Sequence, residues 1–228
     1  MDDKIIREMM SYYDERAEEY DEIYLGKGHT TIDPDVYRQD VAKASEMVSR
    51  FGRGHLIDIA CGAGFWLPDY ARNCSQITFL DQSERMLSKC QDRVKELGLA
   101  DISSFIQGDF LDVNLETCKY DCALMGFFLS HLTSEQEEAF FEKLVAILKT
   151  NPQLMFIDSA WNKRRQRYRE KEGIQERVLN VNDGRIFRIY KRYFEKSDVE
   201  EMFEKHDFEV ISCYTGDALI AAVAESCW

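Results

Sequence analysis

The sequence predicts an α/β protein with a doubly wound, seven-stranded mixed sheet whose last strand is antiparallel to the others. Two observations support this class. First, five short apolar runs alternate with longer amphipathic segments, which is typical of a parallel sheet with helices on both faces. Second, the chain ends with two apolar runs separated only by Gly216. Because strands joined so tightly pair as a hairpin, the last strand must run against the rest.

Each element is bounded by recognisable local signals. Runs rich in β-branched and aromatic residues predict strands over 55–60, 76–81, 101–107, 120–127 and 153–158, and then over 207–215 and 217–225. Amphipathic periodicity predicts helices over 34–51, 84–97 and 134–149, with a shorter one ending at about 206. Pro34 follows a capping Asp33, Ser83 caps the second helix, and Thr133 with Gln136 forms a capping box for the third.

Residues 161–192 interrupt this alternation. The segment 161–173 has the composition of a basic helix, and a hairpin is predicted around Asn182-Asp183-Gly184. The whole stretch contains 11 Lys or Arg against 4 Asp or Glu, a local charge of +7. We interpret it as a basic helix–hairpin insertion within one domain that spans 1–228, and not as a second core.

Composition excludes several classes of protein. The formal net charge of −13 argues against a general nucleic-acid binder. The chain contains no apolar run long enough to span a membrane, and its start lacks the apolar core of a signal peptide. The seven cysteines include no C-x-x-C pair, so neither a disulfide framework nor a metal site is predicted. A cytoplasmic protein is expected.

The motif that indicates chemistry is LIDIACGAGFW at 56–66. A buried strand carrying Asp58 is followed by Gly62 and Gly64, where glycines let the backbone approach a ligand closely. A dinucleotide fingerprint would require a third glycine, but Leu67 stands there. An acid before the glycines suits a cationic ligand better than a phosphate. The alternative is an ordinary turn.

Acids also follow the next two predicted strands. Asp81 ends the second strand and can accept hydrogen bonds from both hydroxyls of a ribose, a contact common to adenosine cofactors and NAD. Asp109 and Phe110 follow the third strand, where an acid and a backbone N–H can read an adenine. The alternatives are that Asp81 belongs to a helix cap and that Asp109 is a solvated loop acid.

The chain resembles the class I S-adenosylmethionine-dependent methyltransferases in the order of three features. These are the sequence D-I-A-C-G-A-G-F, an acid at the end of the second strand, and the sequence G-D-F after the third. The resemblance covers roughly 1–225 and implies a Rossmann-like methyltransferase fold, S-adenosylmethionine as cofactor and S-adenosylhomocysteine as product. It also implies that the segment 1–33, a helical lid, closes over the cofactor. The family has glycine where this chain has Ala60. By position, the resemblance implies cofactor contacts from Tyr13, Tyr20, Asp58, Ala60, Gly62, Gly64, Asp81, Gln82, Asp109, Phe110, Gly126 and Phe127.

His131 is the candidate general base, because it lies just beyond the fourth strand and an imidazole titrates near neutral pH. The alternative is a capping or packing histidine, and Tyr13 and Tyr20 have a similar alternative as an aromatic packing face. In the insertion, Arg164, Arg165, Arg188 and Arg192 are candidates to clamp a carboxylate or phosphate of the acceptor. A solvated basic face or a dimer surface explains them equally well.

The sequence therefore predicts an enzyme that transfers a methyl group to an O, N or C nucleophile of a small molecule, with an anionic acceptor as one option. A second interpretation is methylation of tRNA or protein through the basic insertion. A third is a regulatory module that binds the cofactor without chemistry. The sequence leaves monomer and homodimer open.

Overall fold

The structure, a computed structural model, describes residues 2–25, 33–178 and 184–228. Its strands are β1 (His55–Ile59), β2 (Gln76–Asp81), β3 (Ser103–Gln107), β4 (Tyr120–Gly126), β5 (Leu148–Ser159), β6 (Glu172–Val178), β7 (Ile186–Arg192), β8 (Phe208–Thr215) and β9 (Leu219–Ser226). Seven strands form one sheet in the order β3-β2-β1-β4-β5-β9-β8. β1 to β5 are mutually parallel, while β9 is antiparallel to both of its neighbours. The predicted mixed sheet is confirmed.

Helices cover both faces of this sheet, as predicted. The described α-helices are α1 (Asp3–Glu15), α2 (Tyr20–Tyr24), α3 (Pro34–Val48), α4 (Leu67–Tyr70), α5 (Glu84–Glu96), α6 (Ser134–Ile147) and α7 (Lys196–Lys205). Helices α3, α4 and α5 pack on one face and α6 and α7 on the other. Because successive side chains of a strand point to opposite faces, neighbours such as Met155 and Phe156 in β5 belong to different cores.

The predicted caps fix where the helices of the sheet begin. The Asp33 side chain accepts from the Asp35 N–H, next to Pro34 at the start of α3. Ser83 Oγ accepts from the Met86 N–H at the start of α5, and the Thr133 capping box opens α6. These side chains satisfy backbone donors that the first turn of a helix leaves free.

The insertion differs from its prediction in one respect. The helix predicted over 161–173 is wrong: the chain forms only a short 3₁₀ turn at Arg165–Arg167 and enters β6 at Glu172. β6 pairs antiparallel with β7 over its whole length, which confirms the hairpin. Asn182 and Asp183 of the predicted turn lie outside the described residues. Pairing with β7 overrides the helix propensity of this Lys-, Arg- and Glu-rich stretch.

The amino-terminal helix α1 bridges the insertion and the main domain. Glu8 accepts hydrogen bonds from the guanidinium of Arg188 in β7, and Asp14 accepts one from Ser83 Oγ at 2.6 Å. Just after α1, Glu18 pairs with Lys89 of α5. The predicted lid of 1–33 thus contains α1 and α2, with residues 26–32 outside the described part. Within the described ranges, no helix is long and apolar enough to cross a membrane.

Candidate active site

A cavity with an empty volume of about 940 Å³, here called the rim cavity, opens at the carboxyl ends of four neighbouring strands. Parallel sheets with helices on both faces bind ligands at this edge. Each strand contributes lining residues: Ile59, Ala60 and Gly62 at β1; Leu80, Asp81 and Gln82 at β2; Gly108, Asp109 and Phe110 after β3; and Gly126, Phe127 and Phe128 at β4. The structure therefore brings together most of the residues singled out from sequence.

The loop after β1 approaches the cavity with its backbone. Ala60 and Gly62 both have φ of 54°, in the left-handed region that favours glycine. A Cβ at Gly62 would lie 3.3 Å from the ring of Tyr20, which packs against this turn. Glycine at 62 therefore leaves room for Tyr20 to pack against the turn.

Asp81 is the polar centre of the rim cavity. It is buried, and its two carboxylate oxygens accept from the backbone N–H groups of Gly62, at 2.8 Å, and Ser83, at 2.9 Å. Burial raises the pKa of Asp81 to about 6, against the lowering effect of these hydrogen bonds. Each oxygen retains acceptor capacity for a ligand hydroxyl.

The loop after β3 supplies a further acceptor and a ring. Asp109 Oδ1 accepts from the Leu111 N–H at 2.9 Å, so the side chain is held in a local turn. Phe110 is buried, and its ring centroid lies 4.8 Å from that of Phe140. An acid and an apolar ring thus stand side by side at one end of the cavity.

The end of β4 carries backbone strain. Phe127 has φ of 56°, a conformation that costs a non-glycine residue energy and that clusters at functional sites. The indole Nε1 of the neighbouring Trp66 is buried without a hydrogen-bond partner among the described residues. A Cβ at Gly126 would lie 3.2 Å from this nitrogen. The β4 loop therefore fits closely between the cavity and Trp66.

Two of the predicted contact residues lie behind the cavity wall. Asp58 is 2% exposed on the α3–α4–α5 side of the sheet, and its Oδ2 accepts from the Tyr70 hydroxyl at 2.7 Å. Burial raises the pKa of Asp58 to about 7. A Cβ at Gly64 would lie 2.9 Å from Cys90 Sγ, so this glycine allows the loop to approach α5. Neither residue is among the side chains that line the rim cavity.

A second cavity, here called the tyrosine cavity, adjoins the first and has an empty volume of about 890 Å³. Tyrosines and cations dominate its lining: Tyr12, Tyr13, Tyr20, Tyr24, Tyr37, Tyr168 and Tyr193, with Arg16, Arg165, Arg169, Arg177 and Lys191. The described lining includes no Asp or Glu. Tyr13, Tyr20, Phe127 and His131 line both cavities, so these four residues form the junction between them.

At this junction His131 is held by two hydrogen bonds. Its Nδ1 lies 2.7 Å from the Tyr190 carbonyl oxygen, so Nδ1 carries the proton and donates. Its Nε2 lies 2.7 Å from the Tyr13 hydroxyl and therefore accepts from it. Burial, reinforced by the charge of Lys191, lowers the pKa of His131 to about 3. The imidazole is neutral around pH 7, and both of its nitrogens are engaged.

Lys191 lines the tyrosine cavity and forms an ion pair with a buried carboxylate. It is 6% exposed, lies 2.8 Å from Asp158 Oδ1, and also donates to Ser130 Oγ. Its Nζ lies 5.8 Å from the centroid of the Phe127 ring. Burial lowers the pKa of Lys191, while the Asp158 carboxylate opposes that shift.

Of the four arginines predicted to clamp an anion, the structure places only Arg165 in the tyrosine cavity. Arg188 pairs with Glu8 and Arg192 with Glu137, while Arg164 is exposed. The sequence-based reasoning missed Arg16, Arg169, Arg177 and Lys191. Three of these belong to the insertion, whose excess of positive charge was the available signal, whereas Arg16 comes from the lid.

Comparison with known proteins agrees with this geometry. Residues 56–151, which contain the glycine turn and the ends of β1 to β4, match the family model described as a methyltransferase domain. A curated relative from Geobacillus sp. (strain WCH70), described as an uncharacterized methyltransferase, is 24% identical over 206 residues. That alignment covers 90% of this chain and 89% of the relative. These matches place a methyltransferase domain at 56–151 and support a class I S-adenosylmethionine-dependent methyltransferase.

Solved structures show the same fold as this methyltransferase. A complex of DhpI with SAH (S-adenosylhomocysteine) has a TM-score of 0.76 at 22% identity, and the match covers 99% of this chain and 98% of DhpI. The 1,6-didemethyltoxoflavin-N1-methyltransferase of Burkholderia thailandensis has a TM-score of 0.60 at 13% identity, with coverage of 88% and 93%. The predicted Rossmann-like methyltransferase fold is confirmed.

The methyltransferase domain match and the DhpI complex with S-adenosylhomocysteine support S-adenosylmethionine as the cofactor, as the sequence predicts. The rim cavity fits an adenosyl group, because the Asp81 carboxylate offers acceptors for ribose hydroxyls and Phe110 offers an apolar surface for a base. The backbone at Gly62 leaves room for close approach. When bound, the cofactor supplies an electrophilic methyl group on a sulfonium.

Proposed function

We propose that this methyltransferase binds S-adenosylmethionine in the rim cavity and a small-molecule acceptor in the tyrosine cavity. One observation carries the proposal: the two cavities meet at Tyr13, Tyr20, Phe127 and His131. Methyl transfer requires donor and acceptor on opposite sides of one narrow passage, held in line. The residues of the rim cavity named above, Asp81, Asp109 and Phe110 among them, are then the cofactor contacts.

The chain's own contribution is positioning and exclusion of water. Residues of α1, among them Ile6, Met9 and Met10, cover the rim cavity with apolar side chains. Tyr13, from the same helix, stands at the junction. A closed apolar cover keeps solvent from competing with the acceptor.

The lining of the tyrosine cavity favours a small molecule over tRNA or protein. Aromatic and cationic side chains converge on one concave site there, as in small-ligand pockets. The basic insertion, the proposed contact for a macromolecule, instead turns Arg165, Arg169, Arg177 and Lys191 toward this cavity.

We further propose that the acceptor is an anion. Five cations line the tyrosine cavity without a carboxylate in its described lining. Among the described residues, only Lys191 of these five contacts a buried counter-ion. Arg16 Nε and the Tyr168 hydroxyl are buried without a hydrogen-bond partner among the described residues, although Glu19 lies 3.9 Å from the Arg16 nitrogen. Buried donors are rarely left unsatisfied in native structures, so a ligand with several acceptor oxygens fits them.

The test is transfer of labelled methyl groups into a cell extract. The purified full chain, tritiated S-adenosylmethionine and a protein-free metabolite fraction should give a labelled small molecule. Label in a nuclease- or protease-sensitive product from whole extract would instead support the tRNA or protein alternative. Binding of S-adenosylhomocysteine without transfer into either fraction would support the regulatory module.

The anion proposal is tested with a matched pair of variants. Arg165→Gln removes a 7%-exposed cation of the cavity and should raise the KM for the labelled acceptor at least tenfold, with the Kd for S-adenosylhomocysteine unchanged. Arg164→Gln removes the adjacent, exposed arginine and should change neither value. Equal effects of the two substitutions would contradict the assignment.

A further inference from the structure

We propose that the atom methylated is an acidic oxygen of the bound anion itself, so that the enzyme forms a methyl ester of a carboxylic, phosphoric or phosphonic acid without a general base. This inference rests on the proposed function and adds the nucleophile, which the proposed function leaves open among O, N and C. Three features of the junction between the cavities carry it.

The first feature is the position of a cation. Lys191 lines the tyrosine cavity next to the junction, with its Nζ 5.8 Å from the ring centroid of Phe127, which lines both cavities. The lysine is held there by Asp158 and Ser130, both of them fully buried. A cation at the passage attracts the anionic end of an acceptor to the site of transfer and not to the far end of the cavity.

The second feature is the engagement of His131, the only histidine in the described lining of either cavity. Its Nδ1–H donates to the Tyr190 carbonyl, and its Nε2 accepts from the Tyr13 hydroxyl, each at 2.7 Å. A base must present a lone pair within hydrogen-bond reach of the proton that it removes. Here the only imidazole lone pair is directed at Tyr13, which makes His131 a positioning residue for that tyrosine.

The third feature is the absence of a carboxylate from the described lining of the tyrosine cavity. The basic side chains there offer no lone pair in their charged forms. Against the raising effect of burial, Arg177, Lys191 and Arg165 lower the pKa of Tyr193. The Tyr193 hydroxyl is already engaged, because it donates to Gln175 Oε1 and accepts from Arg177, each at 3.0 Å. Tyr13 is a poor base because burial raises the pKa of its phenol well above the usual range. The low pKa of His131 also opposes a relay of a proton through Tyr13 to the imidazole. An alcohol or ammonium acceptor would therefore keep its proton.

An oxyanion avoids this requirement. The acceptor oxygen uses its own lone pair to form the bond to the methyl carbon, while the carbon–sulfur bond breaks and its electron pair stays on sulfur. A carboxylate thus becomes a neutral ester, and a phosphonate or phosphate dianion becomes a monoanionic ester. The donor loses the positive charge of its sulfonium, and the acceptor loses one negative charge. The charges therefore balance without release of a proton.

The experiment counts protons and identifies the methylated atom. The metabolite fraction is separated further, and each part is incubated with the full chain and ¹³C-methyl S-adenosylmethionine. Separation continues until one part gives a single labelled product. With that acceptor, S-adenosylhomocysteine and protons released are measured together in weakly buffered solution at a pH of about 8, above the second pKa of ~6 of a phosphate ester. A reaction without acceptor gives the background. The ¹³C spectrum of the product is recorded before and after mild alkali.

The protons bound at that pH by donor, acceptor and both products are measured by titration of each compound and subtracted. We then expect fewer than ~0.1 protons for each S-adenosylhomocysteine formed. The methyl carbon should either split by coupling to phosphorus or leave as methanol in mild alkali, which separates the two classes of acid. One proton per turnover, or a methyl carbon bound to nitrogen, carbon or an ether oxygen, would overturn the inference and leave the proposed function standing. Absence of S-adenosylhomocysteine formation from every fraction would overturn both.

Discussion

Replacement of Asp158 by asparagine should strongly destabilise the fold. Asp158 is fully buried and accepts three hydrogen bonds, from the Ser130 N–H at 3.1 Å, the Ser159 N–H at 2.7 Å and Lys191 Nζ at 2.8 Å. An asparagine keeps the shape but loses one acceptor and the negative charge. Removing one partner of a buried ion pair leaves the other charge uncompensated, at a cost of ~3–5 kcal/mol. Because whole domains have about 5–15 kcal/mol of stability, the loss is easily measured.

The assay is urea unfolding of the full chain followed by circular dichroism, with the free energy of unfolding taken by linear extrapolation. Asp92→Asn provides the matched control, because Asp92 forms an exposed ion pair with Lys95 inside α5. That control should leave the free energy nearly unchanged. The double variant Asp158→Asn with Lys191→Met should recover part of the loss, since it leaves no unpaired charge.

The pH dependence of the loss has a definite sign. In Asp158→Asn, burial lowers the pKa of Lys191 without an opposing carboxylate, so the folded state binds fewer protons than the unfolded chain, where lysine titrates near ~10.4. Stability therefore rises with pH in that interval, and the deficit against wild type should narrow between pH ~7 and ~10. A loss below ~1 kcal/mol, or a deficit that widens with pH, would refute the reasoning.

Three further predictions concern the rim cavity. Asp81→Ala should weaken S-adenosylhomocysteine binding more than tenfold, or ~1.4 kcal/mol, in calorimetry; an unchanged Kd would remove Asp81 from the ribose site. Because the pKa of Asp81 is about 6 in the ligand-free chain and ribose donors would lower it, affinity should fall as pH decreases below about 6, and a pH-independent Kd between pH 5 and 7 would contradict this. Ala60→Gly should raise the free energy of unfolding by up to ~1 kcal/mol, since Ala60 has φ of 54°, whereas Ala63→Gly, at a buried site without such strain, should lower it.

The sequence predicts well what depends on neighbouring residues along the chain. Helix caps at Asp33, Ser83 and Thr133 are local signals, and each helix begins where predicted. The convergence of Asp81 and Asp109 at one edge also follows, because the connections between parallel strands place their carboxyl ends together. These features can be predicted from the order of strands and helices along the chain, without knowledge of long-range contacts.

The tyrosine cavity could not be predicted in the same way. Its cations come from the lid and from three parts of the insertion, and only folding brings Arg16 beside Arg165 and Arg177. The insertion's charge pattern alone cannot separate arginines that face the cavity from Arg188 and Arg192. These two arginines instead form ion pairs with Glu8 and Glu137, which lie in distant parts of the sequence. Ile174 is 59% exposed and Gln175 is buried, which inverts the usual strand pattern and hides the start of β6 in the sequence.

The junction tyrosines have a kinetic consequence. Tyr13 of α1 and Tyr20 of α2 form walls of both cavities, so displacing this amino-terminal segment unseals them in a single event. Under the proposed function, S-adenosylhomocysteine and the methylated product leave through the same opening, and new substrates enter through it. Ion pairs such as Glu18–Lys89 and Glu8–Arg188 hold the amino-terminal segment against α5 and β7. Added salt weakens such contacts. Under the proposed function, higher ionic strength should therefore change the rate of opening and not the rate of methyl transfer.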